Sequence, residues 1–127
     1  MIFDTDIFIW VQRGDERAAA LMDEADERYI SLVTYMELLQ GARDKARLRL
    51  NRSFLQAMRF QTLPLTENIG HRAAIYIEEY ALAHGLRLAD ALVAATATEH
   101  DLKLATGKVK HYRAITDLET FEFRGDE

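Results

Sequence analysis

Three acidic residues stand where an acid is costly. Asp4 ends the apolar run Met1-Ile2-Phe3, Glu37 lies between Met36 and Leu38-Leu39, and Asp90 is enclosed by Ala89 and Ala91-Leu92-Val93. A carboxylate among apolar neighbours is destabilising unless it is paired, hydrogen-bonded or protonated. In an open α/β sheet, ligands gather beyond the carboxyl ends of the strands, near the point where strand order reverses. Asp4 and Thr106 each follow a strand-like segment directly, so both belong at that rim. If Glu37 and Asp90 project toward the same rim, three carboxylates converge and their mutual repulsion calls for a cation. The chain has no cysteine, and His71, His84, His100 and His111 show neither HxxxH nor HExxH spacing. Such an ion would be hard and oxygen-bound, magnesium or manganese. Each acid also has a plainer reading: Asp4 as a helix cap, Glu37 at the solvated edge of an amphipathic helix, Asp90 as an acid meeting a helix dipole. For Asp90 the apolarity on every side of its segment argues against a solvated position.

Other chemistries fit less well. A phosphate loop at Gly107-Lys108 would need glycine where Leu102 stands and serine or threonine where Val109 stands. No serine sits in a G-x-S-x-G setting, and the aromatic residues are too scattered to form a base-stacking platform. Asp4-Thr5-Asp6 after an apolar strand resembles the DxD motif of haloacid dehalogenase-type phosphohydrolases. Phe8 stands where that motif has threonine or valine, and the chain is short for that core.

The elements that must position these acids follow from the pattern. With 127 residues, 49% hydrophobic and a single proline, the chain has the length and apolar content of one domain, expected over residues 1–127. Met1 to Asp4 reads as a short buried strand, followed by a helix from Ile7 to Gln12 that Thr5 or Asp6 can cap. Asp15 caps a helix to about Glu27, Tyr29-Ile30-Ser31 forms a strand, and Val33 to about Ala42 has helical spacing. A longer helix, Lys45 to Arg59, is studded with arginine. Phe60 to Leu65 fits a strand, and Thr66 caps an amphipathic helix that Gly85 ends. Leu88 to about His100 is the least polar helix and should be buried on nearly all sides. Leu102 to Ala105 reads as a strand, Thr106-Gly107 as a turn, and Phe121 to Phe123 as a last strand. Strands alternating with helices, without hairpin turns, imply a parallel sheet covered on both faces.

Taken together, Ile2-Phe3-Asp4-Thr5-Asp6-Ile7-Phe8-Ile9, Ser31-Leu32-Val33-Thr34-Tyr35-Met36-Glu37-Leu38 with Gly41, Leu88-Ala89-Asp90-Ala91-Leu92-Val93-Ala94-Ala95-Thr96-Ala97 and Leu104-Ala105-Thr106-Gly107 resemble, in order and spacing, the PIN-domain family. Within it, the likeness is to VapC-type toxins of bacterial toxin-antitoxin pairs, and it runs from Ile2 to about Phe123. The resemblance implies an α/β/α sandwich with a five-stranded parallel sheet and a Mg²⁺- or Mn²⁺-dependent endoribonuclease. It implies Asp4, Glu37 and Asp90 as metal-binding and catalytic acids, with Thr5, Asp6 and Thr106 in support. It further implies a homodimer silenced by a small DNA-binding antitoxin. The family commonly has Asn at the position of Asp6, often Asn or Asp at that of Lys108, and frequently an acid at that of His111. The lysine here can neutralise part of the acidic cluster and weaken a second metal site, or contact the scissile phosphate. A second reading therefore stands beside the nuclease: a PIN-like module that binds RNA or a partner without cutting.

The formal charge of −5 disfavours a polyanionic partner taken as a whole, but it averages unlike regions. Asp15 to Glu27 carries a net −5 and Asp117 to Glu127 a net −4, whereas Arg43 to Arg52 carries +4 and Asp101 to Arg113 carries +3. Any RNA contact is expected to be local and salt-sensitive, with Arg43 and Lys108 as its binding residues. No apolar run is long enough to span a membrane, and an acid interrupts the apolar start, so a cytoplasmic protein is expected.

Overall fold

The computed structural model describes residues 1–125. Its elements are β1 (Ile2–Phe3), α1 (Thr5–Gln12), α2 (Glu16–Glu24), β2 (Arg28–Ser31), α3 (Leu32–Gln40), α4 (Lys45–Ala57), β3 (Phe60–Leu63), α5 (Glu67–His84), α6 (Leu88–Glu99), β4 (Leu104–Thr106), α7 (Val109–Tyr112) and β5 (Thr120–Glu122). The strands form one sheet in the order β3-β2-β1-β4-β5, and every neighbouring pair is parallel.

The period of two along each strand divides the core between the two faces of this sheet. Ile2 and Leu104 join Ile69, Tyr76, Val93 and Tyr112 on the face covered by α5, α6 and α7. Phe3, Ile30 and Ala105 join Phe8, Met22 and Leu55 on the other, covered by α1, α2 and α4. The result is the expected three-layer α/β/α arrangement with a five-stranded parallel sheet.

The chain order explains where a site can form. From β1 the chain builds outward through β2 to β3, then returns to place β4 and β5 on the opposite side of β1. The switch point is therefore the β1–β4 junction, where Asp4 directly follows one strand and Thr106 ends the other.

Several boundaries differ from the pattern reading for local reasons. Asp4, rather than Thr5 or Asp6, caps α1: its carboxylate accepts from Thr5 N, and the helix starts at Thr5. The second helix stops at Glu24, with Ala25 already in extended backbone. The arginine-rich helix stops at Ala57, because Arg59 adopts a left-handed φ of 57° that a helix cannot continue through. The third strand ends at Leu63, just before Pro64, which has no N–H to give to a sheet. The last strand spans Thr120–Glu122, not Phe121 to Phe123, and Thr106 is strand rather than turn. Among the described residues no helix is long and apolar enough to cross a membrane.

Candidate active site

Asp4 and Asp90 meet at the switch point. Asp4 arrives on the end of β1 and Asp90 in the first turn of α6, and both are buried, at 2% and 5% exposure. α6 carries Ala91, Val93, Ala94, Ala95 and Ala97 buried around it, so its amino end is drawn deep into the molecule and the acid goes with it. The helix dipole offsets part of the cost of burying that charge.

Five groups surround the pair. Oδ1 of Asp4 accepts from the backbone N–H of Thr5 at 2.9 Å, and Oδ2 accepts from the Thr106 hydroxyl at 2.8 Å and the Tyr112 hydroxyl at 2.9 Å. The Tyr112 hydroxyl is also 3.3 Å from Oδ1 of Asp90. Lys108 Nζ lies 3.1 Å from the same oxygen and 3.8 Å from Oδ2 of Asp4. His111 Nδ1 is 3.6 Å from Oδ2 of Asp90, an ion pair when the imidazole is protonated. Burial alone would lower the pKa of Lys108, but the charges of Asp4 and Asp90 more than offset it and the amine is held above its ordinary value. Burial, then the same two charges, push the Tyr112 phenol well above its usual range, so it remains a donor.

Asp6 stands beside this pair. Its Oδ2 accepts from Gly107 N at 2.8 Å, while its buried Oδ1 has no hydrogen-bond partner among the described residues. Burial first, and the Asp4 charge second, raise its carboxyl from 3.8 to about 6.

Glu37 reaches the rim from α3 but is tied elsewhere. Its Oε1 accepts from the Thr5 hydroxyl at 2.5 Å, which links it through one residue to Asp4. It lines a groove of 340 Å³ with Thr5, Gly41, Arg43 and Arg47. Arg43 is exposed at the side of that groove, apart from the buried acids.

The residues singled out in the sequence are thus brought to one rim but not into one ready cage. Asp4, Asp90, Thr106 and Lys108 form the centre, Thr5 and Glu37 one flank, and Asp6 with Gly107 the other. Among the described residues no three carboxylate or imidazole side chains are grouped closely enough to hold a metal as they stand. The ammonium of Lys108 lies where the two central acids would share a cation. The side chains nonetheless suit a hard ion: every acid offers oxygen, and Asp6 Oδ1 is a buried oxygen without a hydrogen-bond partner among the described residues.

Two participants were not assigned as site residues from the sequence. Tyr112 lies in a four-residue helix too short to leave a periodic signal, though Val109 and Tyr112 are spaced i, i+3. His111 stands out in the sequence only as a departure from the family pattern; its approach to Asp90 across the fold leaves no local signal.

A family model described as PIN domain matches residues 1–114. The chain belongs to the PIN-domain family. The chain is similar to ribonuclease VapC10 of Mycobacterium tuberculosis, 34% identical over 122 residues that take in 93% of this chain and 90% of that protein. Among solved structures, a chain of a toxin-antitoxin complex from Klebsiella pneumoniae superposes with a TM-score of 0.78 at 31% identity, covering 96% of this chain and 98% of that one. FitAcB from Neisseria gonorrhoeae gives a TM-score of 0.76 at 27% identity, over 95% and 96%. The PIN-domain match agrees with the parallel α/β sheet, whose switch point lies between β1 and β4. It also removes the dehalogenase-type reading of Asp4-Thr5-Asp6.

Proposed function

We propose that this PIN domain is a Mg²⁺- or Mn²⁺-dependent endoribonuclease and the toxin of a toxin-antitoxin pair, acting in the cytoplasm as one domain that β5 completes beyond residue 114. The observation that carries the reading is the meeting of two buried acids, from the end of β1 and the start of α6, on a single phenol oxygen at the switch point, in a chain similar to a ribonuclease along nearly all of its length.

Asp4 and Asp90 would hold the ion, with Glu37 directly or through water and Asp6 in support. When bound, a divalent cation supplies positive charge that polarises a phosphodiester and makes water more acidic. Thr106 and Tyr112 fix the orientation of Asp4, so its carboxylate need not reorganise when charge builds up nearby. Glu37 would take a proton from the attacking water: the Thr5 hydroxyl engages only its Oε1, and the residue lines the groove. Arg43 and Arg47 line the same groove and would bind the RNA backbone on its way to the acids, and Lys108 lies at the reacting end.

The groove continues into an apolar trough of 270 Å³ lined by Phe8, Val11, Leu50 and Phe54. A small antitoxin, itself DNA-binding, would silence the enzyme by laying a segment along this surface. The active unit would be a homodimer.

A second reading has its own support. The Lys108 ammonium lies against Asp90 and offsets its charge, with His111 Nδ1 3.6 Å from the same carboxylate, as they would in a module that binds RNA without cutting it. Incubation of purified protein with RNA in Mg²⁺ or in EDTA separates the two. Metal-dependent cleavage lost in Asp4→Asn and Asp90→Asn supports the nuclease; metal-independent retention of intact RNA supports the binding module. Copurification with the product of a small adjacent reading frame tests the pairing with an antitoxin.

A further inference from the structure

Among the described residues the ammonium of Lys108 is the one cation within ion-pair distance of both central acids, 3.1 Å from Asp90 and 3.8 Å from Asp4. The side chains of these two acids are only 7% and 2% exposed, whereas that of Lys108 is 38% exposed. The acids are therefore fixed, and the lysine has a way out. Its backbone is anchored independently, since Lys108 N donates to the Thr106 hydroxyl at 3.0 Å, so the side chain can swing without disturbing the loop. Thr106 and Tyr112 hold Asp4 through hydrogen bonds that do not involve the amine.

We propose that Lys108 is an internal competitor of the divalent cation: its ammonium fills the place between Asp4 and Asp90, and an ion held by these acids must displace it. The inference rests on the metal-binding reading of the site. Two like charges cannot share oxygens in one partly dry pocket, because their repulsion at such distances is large where water is excluded. The lysine side chain is a point charge on a flexible four-carbon stem, suited to leaving without breaking a fixed bidentate geometry. Metal-free protein is thereby relieved of the repulsion between its own acids, and metal affinity is set by how readily the lysine departs. Once displaced, Nζ stands at the exposed rim, where a substrate phosphate would pass.

The test titrates Mn²⁺ into wild-type protein, Lys108→Gln and Lys108→Arg, reading heat of binding and melting temperature. Lys108→Gln should bind Mn²⁺ about tenfold more tightly, melt lower without metal and show the larger rise on adding it. Lys108→Arg keeps the charge and can bond a carboxylate through two N–H groups, so it should bind Mn²⁺ no more tightly than wild type. In a second readout, acetylation of Lys108 by acetic anhydride, followed by mass spectrometry, should be faster in saturating Mn²⁺ than without it. Equal Mn²⁺ affinity in wild type and Lys108→Gln, slower acetylation in Mn²⁺, or no Mn²⁺ binding in any of the three would overturn the proposal. RNA cleavage by the wild type, assayed in parallel, judges the nuclease reading separately: cleavage with unchanged Mn²⁺ affinity in Lys108→Gln keeps the enzyme and removes the competitor.

Discussion

The hydroxyl of Tyr112 lies 2.9 Å from Oδ2 of Asp4 and 3.3 Å from Oδ1 of Asp90, so one buried phenol serves two carboxylates far apart in the chain. A phenol has one proton to give. Whichever acid lacks it at a given moment depends more heavily on Lys108, and for Asp4 on Thr106. Tyr112→Phe keeps the ring, which is 1% exposed in the core of the α5–α7 face, and removes only the donor. The loss of a hydrogen bond to a buried charge should cost about 1–3 kcal/mol in metal-free protein. Urea unfolding measures it; a midpoint equal to that of wild type would show that the phenol is not what holds the pair.

Asp6 sets a pH dependence of opposite sign to the usual carboxylate. Its pKa rises from 3.8 to about 6 because folding buries it and sets it beside Asp4. Between those values the folded chain retains a proton that the unfolded chain has lost. Stability therefore falls as pH climbs from about 4 to about 6, and the group is destabilising above that range. Asp6→Asn keeps an oxygen to accept from Gly107 N and carries no charge. It should stabilise metal-free protein by about 1–2 kcal/mol at pH 7.5, and change it little at pH 4. Denaturant unfolding at pH 4, 6 and 7.5 checks both; equal stability of the two proteins at pH 7.5 contradicts the assignment.

Asp4 and Asp90 were legible in the sequence because a charge inside an apolar run must be compensated somewhere, and both prove buried and compensated. The alternation of short apolar segments with helical spacing likewise carries the parallel sheet. Its strand order does not follow from spacing, because which neighbour β1 takes on each side is decided by packing of the helices on both faces. The compensating groups were harder to find. Thr106 is legible as a residue directly after a strand at the same rim as Asp4, but Tyr112, 108 residues from Asp4 and in a four-residue helix, leaves no local signal. Glu37 was expected among the acids, but its bond to Thr5 holds it at the groove, a side-chain choice that helical periodicity leaves open.

Gly107 tests how tightly the loop after β4 is bound to the site. A Cβ there would stand 2.7 Å from Asp6 Oδ2 and 3.2 Å from the carbonyl oxygen of Phe123. The first contact can be relieved only by moving the carboxylate that accepts from Gly107 N, and the second is with backbone. Gly107→Ala should destabilise the fold by about 1–3 kcal/mol. It should also reduce RNA cleavage, because Thr106 and Lys108 flank the displaced residue. A variant with wild-type melting temperature and activity would mean that the loop yields freely.

The basic helix α4 and the residue before its cap supply the last expectation. Arg43 and Arg47 line the groove that holds Glu37, while Lys103 precedes β4 at the opposite rim of the sheet, 3.4 Å from Glu119. If RNA reaches the acids along that groove, each arginine neutralises about one phosphate and releases the counterions condensed there. Arg43→Ala and Arg47→Ala should each weaken RNA binding and reduce the slope of log affinity against log salt by about one. Lys103→Ala, whose charge lies across the sheet, should change neither. Fluorescence anisotropy with a short RNA at several salt concentrations measures the three slopes. Equal slopes in all three variants would place the RNA elsewhere, and a change confined to Lys103→Ala would place it on the opposite rim, away from Asp4 and Asp90.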